Sequence, residues 1–252
     1  MGEFVDKVVV ITGAGGHVGK VLARMFAREG AKVAGVDINQ AALDGFEAAV
    51  AEVAGRSVAV ACDLRDWSAL ERAAKEIVGA FGGIDILVNT ATARTNPVWK
   101  ALEDSVHEEM TELMEVGPNG MLGAMLAVLP YLKAKGGKII NFGSGSGRNP
   151  AAGLGTYGVS KAAVHSLTKI AAKEWGKYNI TVNGVLPFMM TPNLERTLRE
   201  EPEKIEPFLP PLRRVGDPER DIGRVVMFLA SDAASFVTGQ NLPVDGGGDM
   251  VM

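Results

Sequence analysis

The chain has 252 residues, of which 47 % are apolar and 22 % charged, with a net charge of −4. These are the proportions of an ordinary globular domain, long enough to bury a full core without covalent staples, and the acidic balance excludes a nucleic-acid-binding footprint. Cys62 is the single cysteine, so no intrachain disulfide can form and a reducing, cytoplasmic setting is expected.

The opening stretch MGEFVDKVVVITG lacks a charged region followed by a long apolar one, and the longest mostly apolar run, 121–132, is too short to span a bilayer. Neither a secretion leader nor a membrane span is expected. Short β-branched runs predict strands at 7–12, 31–36, 57–62, 84–88, 138–142, 180–185 and 241–244. Helical patterns fall between them, near 18–29, 40–53, 67–81, 103–115, 119–134, 156–177 and 218–231. The strands read as continuous apolar runs, VVVIT and IDILVN among them, which suits parallel strands buried on both faces. Strand–helix alternation along the whole length predicts right-handed crossovers and a doubly wound α/β fold. No linker, repeat or charge block divides 1–252, so a single domain is expected. The Pro- and Met-rich segment 186–217 is the one long irregular insertion, as lids and binding loops are.

Directly after the first strand, TGAGGHVG (12–19) opens a helix. Free N–H groups and the dipole at a helix start attract phosphate, and glycines let the backbone come close to it. Gly13, Gly16, His17 and Val18 are therefore candidate pyrophosphate contacts. Asp37 ends the second strand, 18 residues beyond Gly19. A carboxylate there can accept both ribose hydroxyls of an adenosine and repels a 2′-phosphate. No Arg or Lys lies in 13–19 or within three residues after Asp37, so NAD is expected over NADP.

Tyr157 and Lys161, in YGVSK, lie four apart and so on one helical face. A tyrosine serves as an acid/base near neutrality only if its pKa comes down from about 10. An ammonium one turn away works in that direction by stabilising phenolate. Ser144, 13 residues upstream, follows the strand 138–142 and is placed to reach the same substrate oxygen. Taken alone, a serine in GSGSG reads equally well as loop punctuation.

In order and spacing, the glycine turn, Asp37, Asp63 after the third strand, Asn89 after the fourth, Ser144 and the Tyr157/Lys161 pair resemble the short-chain dehydrogenase/reductase family. RVGDPE (214–219), FLASD (228–232), TGQ (238–240) and VDGG (244–247) resemble its single-domain branch, so the likeness covers essentially the whole chain. It implies a seven-stranded, Rossmann-like parallel sheet, a nicotinamide cofactor, a small carbonyl or alcohol substrate, and a homo-oligomer, tetramer or dimer. In that family's terms Tyr157 is the general acid/base, Ser144 orients and polarises the carbonyl, and Lys161 holds the nicotinamide ribose while lowering the Tyr157 pKa. Asp63 and Leu64 would meet the adenine, Asn89 and Ala91 the turn after the fourth strand, and Pro187 and Thr191 the nicotinamide carboxamide. No metal is expected.

Four positions depart from the family pattern. His17 stands at a usual glycine, although Gly13, Gly16 and Gly19 keep the spacing of longer relatives. The site is expected to persist with a shifted contact and the His17 side chain in solvent. The usual NNAG reads NTAT (89–92), and PFMMT (187–191) lacks the usual glycine before Thr191. Gly117 occupies the place of the family's catalytic Asn, whose main-chain carbonyl sits at a helix kink and holds a water. Proline removes an N–H and clashes with the preceding turn, so Gly117-Pro118 is expected to keep that kink.

Trp99, Phe188, Met189, Met190, Phe208 and Leu209 suggest an apolar substrate pocket. Arg94 and Arg148 read as solvated surface residues rather than as anion contacts. The resulting expectation is an NAD-dependent oxidoreductase between a secondary alcohol and a ketone. The alternative, prompted by Gly117 and the altered turns, is a catalytically weak NAD-binding regulatory or scaffold protein. A cofactor-free lyase of the halohydrin dehalogenase type is disfavoured by Lys161 and the open glycine turn.

Overall fold

A computed structural model describes residues 2–93 and 99–249; Arg94 lies outside the described residues. The first strand, β1 (Val8–Thr12), is buried at all of its positions, as an apolar run covered on both faces must be. It leads through the glycine turn into α1 (His17–Arg28), β2 (Lys32–Asp37), α2 (Gln40–Ala51), β3 (Arg56–Ala61), α3 (Trp67–Phe81) and β4 (Ile86–Asn89). Side-chain caps start two of these helices. Asn39 Oδ1 accepts from the Ala42 N–H at 3.3 Å and Asp66 Oδ1 from the Ala69 N–H at 2.9 Å. The second half runs α4 (His107–Met114), α5 (Gly120–Lys133), β5 (Gly137–Phe142), α6 (Gly155–Trp175), β6 (Ile180–Pro187), α7 (Pro192–Glu200), α8 (Arg224–Ala230) and β7 (Asn241–Val244).

All strand pairs are parallel, in the order β3-β2-β1-β4-β5-β6-β7. The seven-stranded, doubly wound, Rossmann-like sheet is thus as expected. Helices α3, α5 and α6 cover one face, with Leu70, Ile77, Met125 and Trp175 in its core. Helices α1, α2 and α8 cover the other, with Leu22, Phe26, Phe46 and Val226. The strand order reverses between β1 and β4, which opens a crevice beyond their C-terminal ends.

Three expectations need correction. The segment 186–217 is not irregular throughout, since it holds α7, capped by Thr191 Oγ1 accepting from the Leu194 N–H at 3.2 Å. Pro192 stands at the first helical position, where its missing N–H costs nothing. The stretch 218–231 is not one regular helix, because Pro218–Gly223 forms a wider π-helical turn before α8. The fourth strand spans Ile86–Asn89 rather than 84–88.

The interior carries one polar seam across the switch point. The Thr12 hydroxyl donates to Asn89 Oδ1 at 3.1 Å, Asn89 Nδ2 donates to Asn141 Oδ1 at 2.9 Å, and Asn141 Nδ2 donates to Thr168 Oγ1 at 3.0 Å. The Thr168 hydroxyl donates onward to the Val164 carbonyl at 2.9 Å. All four side chains are buried, so each bond offsets a desolvation cost that would otherwise stand. Replacing Asn141 by Leu takes one hydrogen bond each from Asn89 and Thr168 and is expected to destabilise the fold by about 3 kcal/mol in urea unfolding.

Candidate active site

The crevice beside β1 and β4 is a cavity of about 430 Å³, walled by Gly13, Gly15, Gly16, Asp37, Asp63, Leu64 and Ala91 among others. Gly13 shapes it, with φ at +69°. A Cβ at Gly13 would lie 2.7 Å from the Ala91 Cα, so the two strand-end turns can approach this closely only with glycine there. The turn closes on itself, as the Gly13 N–H donates to the Val36 carbonyl at 2.8 Å and the Gly16 N–H to the Gly13 carbonyl at 3.0 Å. The N–H groups of His17 and Val18 open α1 and have no intrahelical acceptor.

Asp37 stands at the C-terminal end of β2, where Oδ2 accepts from the Gly15 N–H at 3.1 Å and Oδ1 from the Asn39 N–H at 3.0 Å. Its carboxylate is thereby fixed at the cavity rim with acceptor capacity left over. Asp63 faces the same cavity, and Arg65 grips it at 3.0 Å through Nε and 2.5 Å through Nη2. That hydrogen-bonded guanidinium holds the Asp63 carboxyl below its usual range. Arg65 is a cavity residue that sequence reasoning missed, since it lies beyond both windows searched for a phosphate-binding cation. Its guanidinium is committed to Asp63.

Not every expected contact lines this cavity. His17 is exposed, so its side chain faces solvent as anticipated, and only its N–H faces the turn. The Val18 side chain packs into the core against α1's neighbours. The Asn89 side chain is fully buried and spent on the polar seam, in a strand buried at every position.

The second group of residues gathers past β5. Ser144 follows the strand in extended conformation, and its Oγ accepts from the Ser146 N–H at 3.2 Å. Tyr157 and Lys161 share a face of α6, with Lys161 Nζ 5.7 Å from the Tyr157 ring centre. Lys161 is only 6 % exposed, and its Nζ donates to the Phe142 carbonyl at 3.1 Å. The loop after Ser144 lies directly on this helix: a Cβ at Gly147 would sit 2.5 Å from the carbonyl carbon of Lys161. Serine loop and tyrosine helix are therefore one packed unit. At its entrance Glu109 of α4 ion-pairs with Lys100 and accepts from the Thr156 hydroxyl at 2.9 Å. This contact ties the segment beside Trp99 to the residue preceding Tyr157, and spacing gave no sign of it.

Pro187 lines a second cavity, next to Ser144, together with Phe188 and Phe208. Trp99 stacks at a tilt on Phe208, their ring centres 5.2 Å apart. Of the expected apolar residues, Met189 instead packs against the core beneath α1, α2 and α8.

Between α4 and α5 the helix breaks. Glu115–Asn119 forms a π-helical turn in which Gly117 leaves the helical region (φ −71°, ψ −105°) and Pro118 is buried. The kink survives without the family's Asn. A Cβ added at Gly117 would meet nothing within 4 Å, so space for a side chain remains.

A parallel sheet with its crevice at the β1/β4 switch point, and a Ser–Tyr–Lys cluster beside it, define an oxidoreductase of the doubly wound class. The family model described as "Enoyl-(Acyl carrier protein) reductase" matches residues 13–249. The chain is 34 % identical over 256 residues to the 12alpha-hydroxysteroid dehydrogenase of Clostridium sp., covering 98 % of each chain. It is 35 % identical over 246 residues to the meso-2,3-butanediol dehydrogenase of Serratia marcescens, covering 97 % of this chain and 95 % of that one. Among solved structures it superposes on NAD+-bound xylitol dehydrogenase with a TM-score of 0.89 at 30 % identity, covering 97 % of this chain and all of the other. The chain belongs to the short-chain dehydrogenase/reductase family and is an oxidoreductase acting on the CH–OH/C=O pair.

His165, one turn beyond Lys161, lies beneath this site. Its Nε2 accepts from the Ser144 N–H at 3.5 Å. Burial, reinforced by the positive charges of Lys161, Lys169 and Arg148, lowers its pKa from 6.5 to about 4. The unfolded chain therefore takes up a proton between pH 6.5 and 4 that the folded chain refuses, and stability falls as pH drops through this window. Melting temperatures across that range are expected to show this fall, and His165→Gln to remove about one proton from the unfolding linkage.

Proposed function

We propose that the chain interconverts secondary alcohols and ketones with NAD(H) as cofactor. The observation that carries the reading is the buried Lys161, one helical turn from Tyr157 and anchored on the Phe142 carbonyl. An ammonium held out of water needs further acceptors, and only one of its three donors is used among the described residues. A ribose diol suits the others.

The residues present fit a dinucleotide. The cavity at the glycine turn has an opening helix at one end, and the glycine at 13 lets the turn carrying Ala91 come close beside it. The N–H groups of His17 and Val18, with Gly13 and Gly16, would hold the pyrophosphate. Asp37 would accept the adenosine ribose hydroxyls, Asp63 and Leu64 would meet the adenine, Ala91 would border the adjoining ribose, and Asn89 would brace that turn from below. Lys161 would hold the second ribose, and Pro187 and Thr191 the carboxamide. The Thr191 hydroxyl oxygen caps α7, which leaves its proton to donate. Bound there, the nicotinamide supplies or accepts the hydride. Tyr157 gives the proton to the carbonyl oxygen in reduction and removes it from the alcohol in oxidation. The nearby Lys161 charge stabilises the negative charge that develops on the phenol oxygen. Ser144, its oxygen already accepting from Ser146, donates its own proton to the same substrate oxygen. The Gly117 carbonyl, at the preserved kink, takes the place of the family's Asn carbonyl toward solvent water. Phe188 and Phe208 would face an apolar substrate body. Exposed Phe228, Phe236 and Leu242 on and around α8 and β7 fit a homo-oligomer.

Tyr157→Phe is expected to lower kcat by about 10³-fold with NADH affinity within threefold of wild type, read by steady-state kinetics and fluorescence titration. NADH binding to a wild type that turns over no carbonyl or alcohol would overturn the catalytic role. Gly117→Asn is expected to keep kcat within about threefold and the melting temperature unchanged, because the added side chain enters open space. An Asp37→Ser variant is expected to narrow the NADH-over-NADPH preference by at least about tenfold in kcat/KM.

A further inference from the structure

The cavity beside Ser144 encloses about 190 Å³. One side is apolar, formed by Phe188, Phe208 and Pro210, and the far end is polar, formed by Asn149, Asp245 and Asp249. The two carboxylates differ in what they have left to bind. Asp245 accepts three N–H groups of its own turn, from Gly247 at 3.0 Å, Gly248 at 3.2 Å and Asp249 at 2.7 Å. Its acceptor capacity goes into shaping the loop after β7. The Asp249 side chain is 11 % exposed, and its Oδ2 is buried, 3.3 Å from Arg148 Nε, without a hydrogen bond among the described residues. The ion pair balances the charge of Asp249 and occupies its buried Oδ2, whereas Oδ1 has no hydrogen bond among the described residues and is the oxygen left to accept from the cavity. Arg148 stands behind Asp249 and outside the cavity wall, so it faces its own partner and is withdrawn from any anion entering beside Ser144.

We propose that Asp249 receives a second hydroxyl of the substrate, on a carbon other than the one oxidised. The substrate class is then an uncharged diol or hydroxyketone with an apolar body, and carboxylated substrates are turned away. The inference rests on the alcohol–ketone activity proposed above and adds the group recognised at the far end of the cavity. A neutral donor suits Asp249 because the Arg148 charge already offsets its own, and the Asp245 carboxylate on the same wall, which has no cation partner among the described residues, repels anionic substrates. Asn149, on the same wall, offers both a donor and an acceptor for the same hydroxyl.

The test compares matched substrates with NAD+: butane-2,3-diol against butan-2-ol, cyclohexane-1,2-diol against cyclohexanol, and 3-hydroxybutyrate as the carboxylated probe. For wild type, kcat/KM is expected to favour each diol by about 10- to 100-fold, the range of a hydrogen bond to a charged group. Asp249→Leu is expected to bring that ratio near one, mainly through the KM of the diol. Asp249→Asn, which keeps an acceptor, is expected to retain part of the preference. The Leu variant also frees Arg148 and is expected to raise kcat/KM for 3-hydroxybutyrate by about tenfold. Equal use of diol and mono-alcohol by wild type, or a preference that survives Asp249→Leu, overturns this inference alone. Turnover of none of the compounds by a wild type that binds NADH overturns the alcohol–ketone reading and this inference with it.

Discussion

A lysine held almost entirely out of water governs the geometry of the cleft. An ammonium is among the most expensive groups to bury, and it stays folded inside only where its donors find acceptors. The Lys161–Phe142 bond meets part of that need by holding the middle of α6 onto the end of β5. Two consequences follow from that contact. The face of α6 that carries Tyr157 is fixed over the strand end, and the loop leaving β5 must cross the helix at the level of Gly147, where no side chain would fit. Ser144 and Tyr157 are therefore positioned by one anchor rather than by separate supports. His165 completes the arrangement from below. A second cation one turn from Lys161 would compete for the same acceptors, and the burial and charge that keep His165 neutral let it accept from the Ser144 backbone instead.

The buried seam from Thr12 through Asn89 and Asn141 to Thr168 joins this catalytic half to the nucleotide half. It runs across β1, β4 and β5 into α6, crossing the switch point where the strand order reverses. An apolar interior could fill the same volume, but hydrogen bonds of fixed direction also set the register of neighbouring elements. Every member is satisfied, so the seam stiffens the floor of the cleft without leaving a buried polar group unpaired. Asn89 is thus better understood as part of that floor than as a lining residue, and the turn it precedes inherits its position.

Much of this was legible from residue order because its causes are local. Continuous apolar strands, a glycine turn before a helix, and a tyrosine four residues from a lysine each follow from short-range spacing. The misses share a different origin. Helix α7 was hidden because Pro192 has opposite meanings at a helix start and in a helix interior, and only the cap formed by Thr191 tells them apart. Arg65 was missed because the cavity is walled by the segment after β3 as well as by the residues after Asp37. The Glu109 link to Lys100 and Thr156, and the Arg148 pair with Asp249, each join segments that the topology alone brings together.

The same division separates chemistry from selectivity within the site. The groups that would move a proton are set by one strand end and one helix, so few substitutions leave them intact and relatives with differently named substrates can share them. The far end of the substrate cavity is assembled from residues near 149, 188, 208 and 249, contributed by four separate connections. Each of these can change without disturbing the Lys161 anchor. Arg148 illustrates how little sequence position reveals there, since an isolated arginine beside a catalytic loop would invite an anion. Once Asp249 of the turn after β7 pairs with it, the charge is balanced internally and the cavity presents a carboxylate in its place. On the proposed reading, selectivity follows from where the segment after β7 comes to rest.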